Sequence, residues 1–414
     1  MVSDPVFDAP LRIAFVVLHT SPIDEPGTKD AGGMNVVVRA QAEHLAGMGH
    51  TVELITRRQD PDAPGVVELA PRLRLHSLDA GPARTIDKGD HEGVIDQFRA
   101  GLEELFQRLE VDIIHGEHWF SGIAALPVAR TLDIPFVQSF HSIAADEAEP
   151  LDAGERAESP GRIAGEAMLA RESCGLVVIS RAERSTVIHR LGASPECVFI
   201  VPPGVDAELF HPQRRPLGSV KRRIVVAGRL HPLKGVDLAI RALAEIPERQ
   251  RPELIVVGSP PPDGAEYAES LVALCRELRV EADVRFVGAK TRVPLAEELR
   301  TADVVLMPSH SETFGLVSLE AAASGVPVVA YRSGGLQESV LDGRTGLLVD
   351  SRDPADWASA ITQLLHDEAL RSRLAKQARE HAESMSWRAS TVALLQVYKR
   401  KLDDQRAQDT ADRD

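Results

Sequence analysis

Aromatic residues are scarce in this chain, at 4% of 414 residues, and there are only three cysteines. So few rings weigh against recognition by base stacking or by an aromatic-lined carbohydrate groove. Cys174, Cys197 and Cys275 lie far apart and show no C-x-x-C spacing. Their odd number excludes a full disulfide framework and predicts a reducing, cytoplasmic setting. Positive charge is also in deficit: 47 Lys and Arg against 62 Asp and Glu give a formal charge of −15. Such an acidic chain is not expected to bind nucleic acid or anionic lipid broadly, so an anionic ligand needs a local basic pocket. No apolar run reaches the ~18 residues of a membrane span, and the acidic N-terminus has no apolar signal core. Neither G-x-G-x-x-G nor G-x-x-x-x-G-K-[ST] occurs, which disfavours a nicotinamide dehydrogenase and a P-loop ATPase.

What is present is a regular alternation. With 43% hydrophobic and 26% charged residues the composition is globular, and the length suits about two or three domains. Short apolar runs read as buried strands: 11–18, 51–56, 111–115, 134–139 and 175–179, with helices over 34–47 and 92–109. The pattern restarts after Pro202-Pro-Gly-Val-Asp206. Strands are then expected at 223–227, 254–257, 284–287, 304–307, 326–330 and 346–349, with a helix opening at 236–243. Alternating β and α units imply parallel sheets covered on both faces. The expected fold class is therefore α/β, with two doubly wound, Rossmann-like domains facing across a cleft. Their bounds are 1–205 and 206–385. A C-terminal helix follows over 386–402, able to pack on either domain, and then a frayed polar tail over 403–414. Ligands in such folds sit at the carboxyl ends of the strands.

Several segments fall at those ends. Asp30-Ala-Gly-Gly-Met-Asn35 lies between the first strand and the first helix. Its glycines permit close backbone approach to a phosphate at a helix N-terminus, or simply turn and cap the helix. Gly228-Arg-Leu-His-Pro-Leu-Lys-Gly235 places Arg229 and Lys234 after the first strand of the second half. The pair suits a diphosphate, with a planar fork beside a mobile point charge, although two basic residues in a solvated loop would look the same. In Ser309–Glu320, Glu312 stands in a loop and Glu320 eight residues on, in a helix beginning near Gly315. Each carboxylate is suited to a sugar diol, and each alone could equally be a cap or a surface residue. His115, Glu117 and His118 sit at another strand end, with a spacing that fits no zinc motif. They read as residues lining the cleft, as does His141. The D-x-D matches, Asp60–Asp62 and Asp412–Asp414, fall in a Pro-rich loop and in the tail.

Together these segments resemble glycosyltransferase family 4, retaining nucleotide-sugar enzymes of the GT-B fold. The match rests on Glu312 and Glu320 in E-x7-E, the G-R-x-x-x-x-K-G loop and the P-P-G-V-D hinge, and it extends over about 11–400. Within the family, His19 to Asn35 is similar to the opening of members that move GlcNAc from UDP-GlcNAc to 1D-myo-inositol 3-phosphate in mycothiol biosynthesis. The resemblance implies a donor site at Glu25, Pro26, Gly33, Arg229, Lys234, Glu312 and Glu320, with His141, Glu312, Arg229 and Lys234 as the catalytic set. It implies acceptor contacts from His19, Asp30, Ala31, Gly32, Gly33, Met34, Asn35, Lys88, His118, Ser142 and Arg162. Lys88, Ser142 and Arg162 match the residues that hold the acceptor phosphate, and His118 stands where those members have a Tyr. It further implies a UDP-sugar as donor, no required cofactor, no metal ligand (Mg²⁺ tolerated but not essential) and an assembly that is often a homodimer. Other readings are a different acceptor (an aminocyclitol, a sugar or a lipid-linked precursor) or an inactive sugar-nucleotide-binding protein.

Overall fold

The computed structural model describes residues 9–27, 31–213, 221–261 and 264–411. Asp30, the middle of the linker and Asp412–Asp414 lie outside the described residues. The first half builds a sheet from β1 (Arg12–Val17), β2 (Thr51–Arg57), β3 (Val66–Ala70), β4 (Leu73–Leu78), β5 (Ile113–Glu117) and β6 (Phe136–Ser139). A two-stranded excursion, β7 (Ala144–Ala145) and β8 (Glu155–Arg156), stands apart, and β9 (Gly175–Val178) and β10 (Val198–Ile200) complete the sheet. Its order is β10-β9-β6-β5-β1-β2-β4-β3, parallel except where β3 runs against β4.

The second half contributes β11 (Arg223–Ala227), β12 (Glu253–Val257), β13 (Val284–Phe286), β14 (Val304–Met307), β15 (Val328–Tyr331) and β16 (Gly346–Val349). This six-stranded sheet, ordered β13-β12-β11-β14-β15-β16, is parallel throughout. In β1, Ile13, Phe15 and Val17 join one core cluster, whereas Ala14, Val16 and Leu18 join the cluster on the other face. In the second sheet, Ile224 and Val226 likewise part from Val225. A strand with both faces buried reads as an unbroken apolar run, which is why these strands are visible in the sequence.

Three strands of the first sheet carry no such signal. β3 is largely exposed, β4 interleaves Arg74 and His76 with its leucines, and β10 has three residues. An apolar-run criterion detects strands buried on two sides and passes over an edge hairpin. The tail also differs from expectation. The last helix, Trp387–Ala411, continues through most of the segment expected to fray. Leu394, Leu395, Val397 and Tyr398 pack into the first domain's core, so this helix crosses back over the interdomain boundary. Among the described residues no helix is long and apolar enough to cross a membrane.

Candidate functional site: a cavity between the two sheets

The carboxyl ends of β1, β5 and β6 face those of β11 and β14 across a cavity of about 650 Å³. One wall is built from the second domain. Arg229 and Lys234 leave β11 in the loop that precedes the helix Val236–Glu245, and both line the cavity. Lys234 Nζ donates to Glu312 Oε1 at 2.5 Å, and Ser309 Oγ donates to the same oxygen at 3.0 Å. Glu320 is buried and accepts from Arg292 Nη1 at 2.9 Å. Burial pushes its carboxyl up, against the pull of that guanidinium. Gly315, with φ +90°, turns the chain into the helix Leu316–Ala323, and a Cβ there would lie 2.6 Å from Leu336. The first residues of this helix and those of the helix Gly33–Gly47 both line the cavity, so two helix N-termini face it. They approach closely: a Cβ on Gly33 would stand 3.3 Å from Leu316 Cδ1.

The other wall comes from the first domain. His118 and His141 follow β5 and β6 with φ of +68° and +62°, a left-handed conformation that a side chain adopts at a cost. His141 Nε2 meets Glu117 Oε2 at 2.5 Å. Burial lowers the imidazole's proton affinity, but Glu117 outweighs it and the pKa is raised. Beneath, a buried chain of contacts reaches the last helix: Glu117 lies 3.6 Å from His115, whose ring meets Ser139 Oγ at 2.9 Å and Tyr398 Oη at 2.7 Å. His118 is buried with no hydrogen-bond partner at either ring nitrogen, and His19 Nδ1 is in the same condition. Their rings lie 4.3 Å apart. Burial first, and then neighbouring cations, hold both well below the usual imidazole pKa.

Lys88, Ser142, Pro26 and Ala31–Asn35 also line the cavity. Three expected ligands stand differently. Asn35 spends its amide on the loop: Oδ1 accepts from Gly32 N at 3.0 Å, and Nδ2 donates to Thr20 Oγ1 at 3.1 Å and Ser21 O at 2.8 Å. It therefore shapes the turn that presents the helix N-terminus. Glu25 is exposed, outside the lining, because the turn at Ser21–Asp24 aims it outward to Arg39, 3.9 Å away. Arg162 is fully enclosed and lies behind the wall. It opens the helix Arg162–Glu172, bonds Glu158 and, at 2.8 Å, Glu166, and donates to Ser142 Oγ at 2.9 Å. Asp30 is not described.

His115 and Glu117, expected in the cleft lining, stand behind it, where Glu117 supports His141. Residues absent from the sequence reading also enter. Arg292 holds Glu320. Glu183 lines the cavity, pushed up to about 7 by burial. Glu155 stands among Lys88, Arg162 and Arg229. Glu166 stands at i+4 from Arg162 on the helix that Arg162 opens, a spacing legible in advance, and Glu158 reaches the same guanidinium from the turn before the helix. Glu155 had little local signal, since Lys88 and Arg229 come from distant segments. Among the described residues, no three His, Cys, Asp or Glu gather as a metal site would require.

The two halves tie together across the cavity. Thr313 Oγ1 donates to His141 O at 2.9 Å, Glu338 Oε1 accepts from Arg181 N at 2.7 Å, and His310 meets Asp152 at 3.1 Å.

Family comparisons fit this division. Residues 31–209 match the model described as Glycosyltransferase Family 4, and residues 210–381 the model described as Glycosyl transferases group 1. The D-inositol 3-phosphate glycosyltransferase of Kineococcus radiotolerans is 39% identical, covering 97% of this chain and 98% of that protein. The protein of that name from Mycobacterium bovis is 38% identical over 97% of this chain and 85% of its own length. Among solved structures, sucrose-phosphate synthase from Thermosynechococcus elongatus superposes with a TM-score of 0.85 at 29% identity, covering 94% of this chain and 98% of that one. Anabaena HepE with UDP and glucose has a TM-score of 0.72 at 20% identity, covering 96% of this chain and 100% of that one, and shares the fold. The paired sheets are those of a GT-B enzyme acting on a nucleotide sugar and a small-molecule acceptor, and the chain belongs to glycosyltransferase family 4.

Proposed function

We propose that the chain transfers GlcNAc from UDP-GlcNAc to a hydroxyl of 1D-myo-inositol 3-phosphate, with retention of the anomeric configuration. The observation that carries this reading is the meeting of two unlike walls in one cavity. Arg229 and Lys234 with Glu312 and Glu320 stand on one side, and Lys88, Ser142, His19 and His118 on the other. The relatives at 38–39% identity are named D-inositol 3-phosphate glycosyltransferases, which supports the acceptor in this reading.

In this reading Glu320 accepts hydrogen bonds from the ribose diol and Glu312 from the transferred sugar. Arg229, Lys234 and the two helix N-termini meet the charge that grows on the departing diphosphate, a contribution that usually dominates such catalysis. His141, with Nε2 committed to Glu117, offers Nδ1 to the donor sugar. Glu312 and Glu320 are each anchored by a cation, which suits them to accept hydrogen bonds rather than to attack carbon. The acceptor oxygen then bonds to the anomeric carbon on the face the leaving group vacates. The carbon–phosphate oxygen bond breaks, and the acceptor proton passes to that phosphate oxygen. Resident cations supply the neutralisation, so the reaction requires no divalent ion.

The test is a product assay with inositol 3-phosphate, free inositol and 2-deoxystreptamine, each against UDP-GlcNAc and UDP-glucose. The expected product forms from inositol 3-phosphate and UDP-GlcNAc, carries an α-linkage by proton NMR and survives a chelator. Turnover of another pair with none of this one overturns the substrate assignment.

A further inference from the structure

Glu155 is the point where donor-side and acceptor-side cations meet. It lies on β8, a two-residue strand paired only with β7. Its Oε2 stands 3.7 Å from Lys88 Nζ and 3.5 Å from Arg162 Nη1, and its Oε1 stands 3.6 Å from Arg229 Nη2. Ser142, which the family resemblance places among the phosphate contacts, also bonds it. A carboxylate therefore sits where the proposed acceptor's phosphate needs to be, and it reaches across the cleft to hold a cation of the donor wall.

The charges around it balance. Lys88, Arg162 and Arg229 face Glu155, Glu158 and Glu166. A phosphate monoester entering this set adds up to two negative charges to a largely desolvated site, so one resident carboxylate has to give way. Glu158 and Glu166 are bonded directly to the enclosed Arg162. Glu155 stands 3.5–3.7 Å from the three cations and makes no direct hydrogen bond to them among the described residues, and its side chain, at 19% exposure, is the most accessible of the three carboxylates. Its hold on the cations is by charge alone, from a two-residue strand. The surrounding cations hold its carboxyl below the usual range despite burial, so the competitor is ionised at neutral pH.

Resting on the acceptor reading above, we propose that Glu155 is a resident stand-in for the acceptor phosphate. In the free enzyme it fills the anion seat and occupies Arg229. The incoming phosphate displaces it and thereby returns Arg229 to the donor diphosphate. Glu155 is thus a positioning residue that couples the two substrates: an anionic acceptor tightens nucleotide binding, and a neutral one of the same shape does not.

The test is calorimetric titration of the full chain with UDP, alone, with saturating 1D-myo-inositol 3-phosphate, and with myo-inositol. In the wild type the phosphorylated ligand is expected to tighten UDP by about tenfold, in the ordinary range of coupling between sites, and myo-inositol to leave it unchanged. Glu155→Gln, which keeps shape and removes charge, should bind UDP severalfold more tightly without acceptor and lose most of the coupling. Equal coupling in Glu155→Gln and wild type, or weaker UDP binding in the variant, overturns the proposal. A parallel titration of wild type in sulfate against chloride at matched ionic strength needs neither the variant nor the acceptor. Tighter UDP in sulfate supports the stand-in role, and unchanged or weaker UDP refutes it. If sugar transfer to inositol 3-phosphate fails while sulfate and Glu155→Gln behave as expected, the acceptor assignment falls and the anion seat stands.

Discussion

On the donor wall each cation has a carboxylate close at hand and stays accessible: Lys234 pairs with Glu312, Arg292 with Glu320, and Arg229 is 42% exposed. On the acceptor wall Arg162 has no exposed surface and is shared among three carboxylates, while two histidines keep buried ring nitrogens with no partner. The first arrangement can exchange one carboxylate contact for a ligand contact and lose little. The second cannot give up its arginine without stranding buried charge. Residues that resemble a ligand set by position thus divide into those that bind and those that hold the binders in place, and burial decides which is which.

Arg162→Ala should break that contrast most visibly. Removing one member of a buried ionic cluster costs about 3–5 kcal/mol, because the remaining charges are left desolvated and unpaired. Glu158 and Glu166 would be those charges. The expected result is a large fall in thermal midpoint, with activity lost for phosphorylated and neutral acceptors alike. A selective rise in KM for the phosphorylated acceptor at an unchanged midpoint would instead make Arg162 a direct ligand.

Lys234→Ala should do the reverse. Its side chain is partly exposed and its ion pair is local, so stability should move by no more than about 1 kcal/mol. The rate should fall by about 10²–10³ in kcat/KM, as for loss of one charge-stabilising contact in a transition state. Steady-state kinetics beside a melting curve separates the two outcomes. Unchanged turnover would remove Lys234 from the diphosphate site.

The same contrast explains what could be read from the chain beforehand. Donor-wall residues are local in sequence: Arg229 and Lys234 share one loop, and Glu312 and Glu320 share one loop and helix. Each follows a strand buried on both faces, which fixes it at a carboxyl end. The acceptor wall is assembled from His19, Lys88, His118, Ser142, Glu155 and the helix opened by Arg162, brought together by strand order in the sheet. The family resemblance named Lys88 and Ser142, and both line the cavity. It did not reveal that Arg162 is enclosed, or that Glu155 lies between them, because both depend on the path of the excursion between β6 and β9. The edge hairpin β3–β4 was missed for a related reason, since its polar face leaves no apolar run. The last helix outran expectation because its polar far end rides on a segment anchored in the first domain's core.

Protonation separates the walls more gently. Burial, then His19, Lys88, Arg162 and His141, hold His118 well below its ordinary 6.5. The folded protein therefore keeps it neutral, whereas the unfolded chain takes up a proton near 6.5. Below that pH the unfolded state binds more protons, so stability falls as pH drops from 6.5 toward the folded value. The slope is at most about 1.4 kcal/mol per pH unit for one group. His19, held low in the same way, adds to this slope, and two further cavity residues titrate nearby. Glu183, raised to about 7, favours the folded state as pH falls, and opposes His118 in the same window. His141, raised by Glu117, acts above 6.5, where its stabilisation fades as pH rises. The informative quantity is therefore the difference between variant and wild type. His118→Phe should flatten the loss of urea midpoint between about pH 6.5 and 5 and leave the curve above pH 7 parallel to wild type. Lys234→Ala, on the opposite wall, should keep the wild-type slope. If His118→Phe keeps it too, the unpartnered imidazole is not what sets the acid limb, and the acceptor wall is less sealed than its buried ring nitrogens imply.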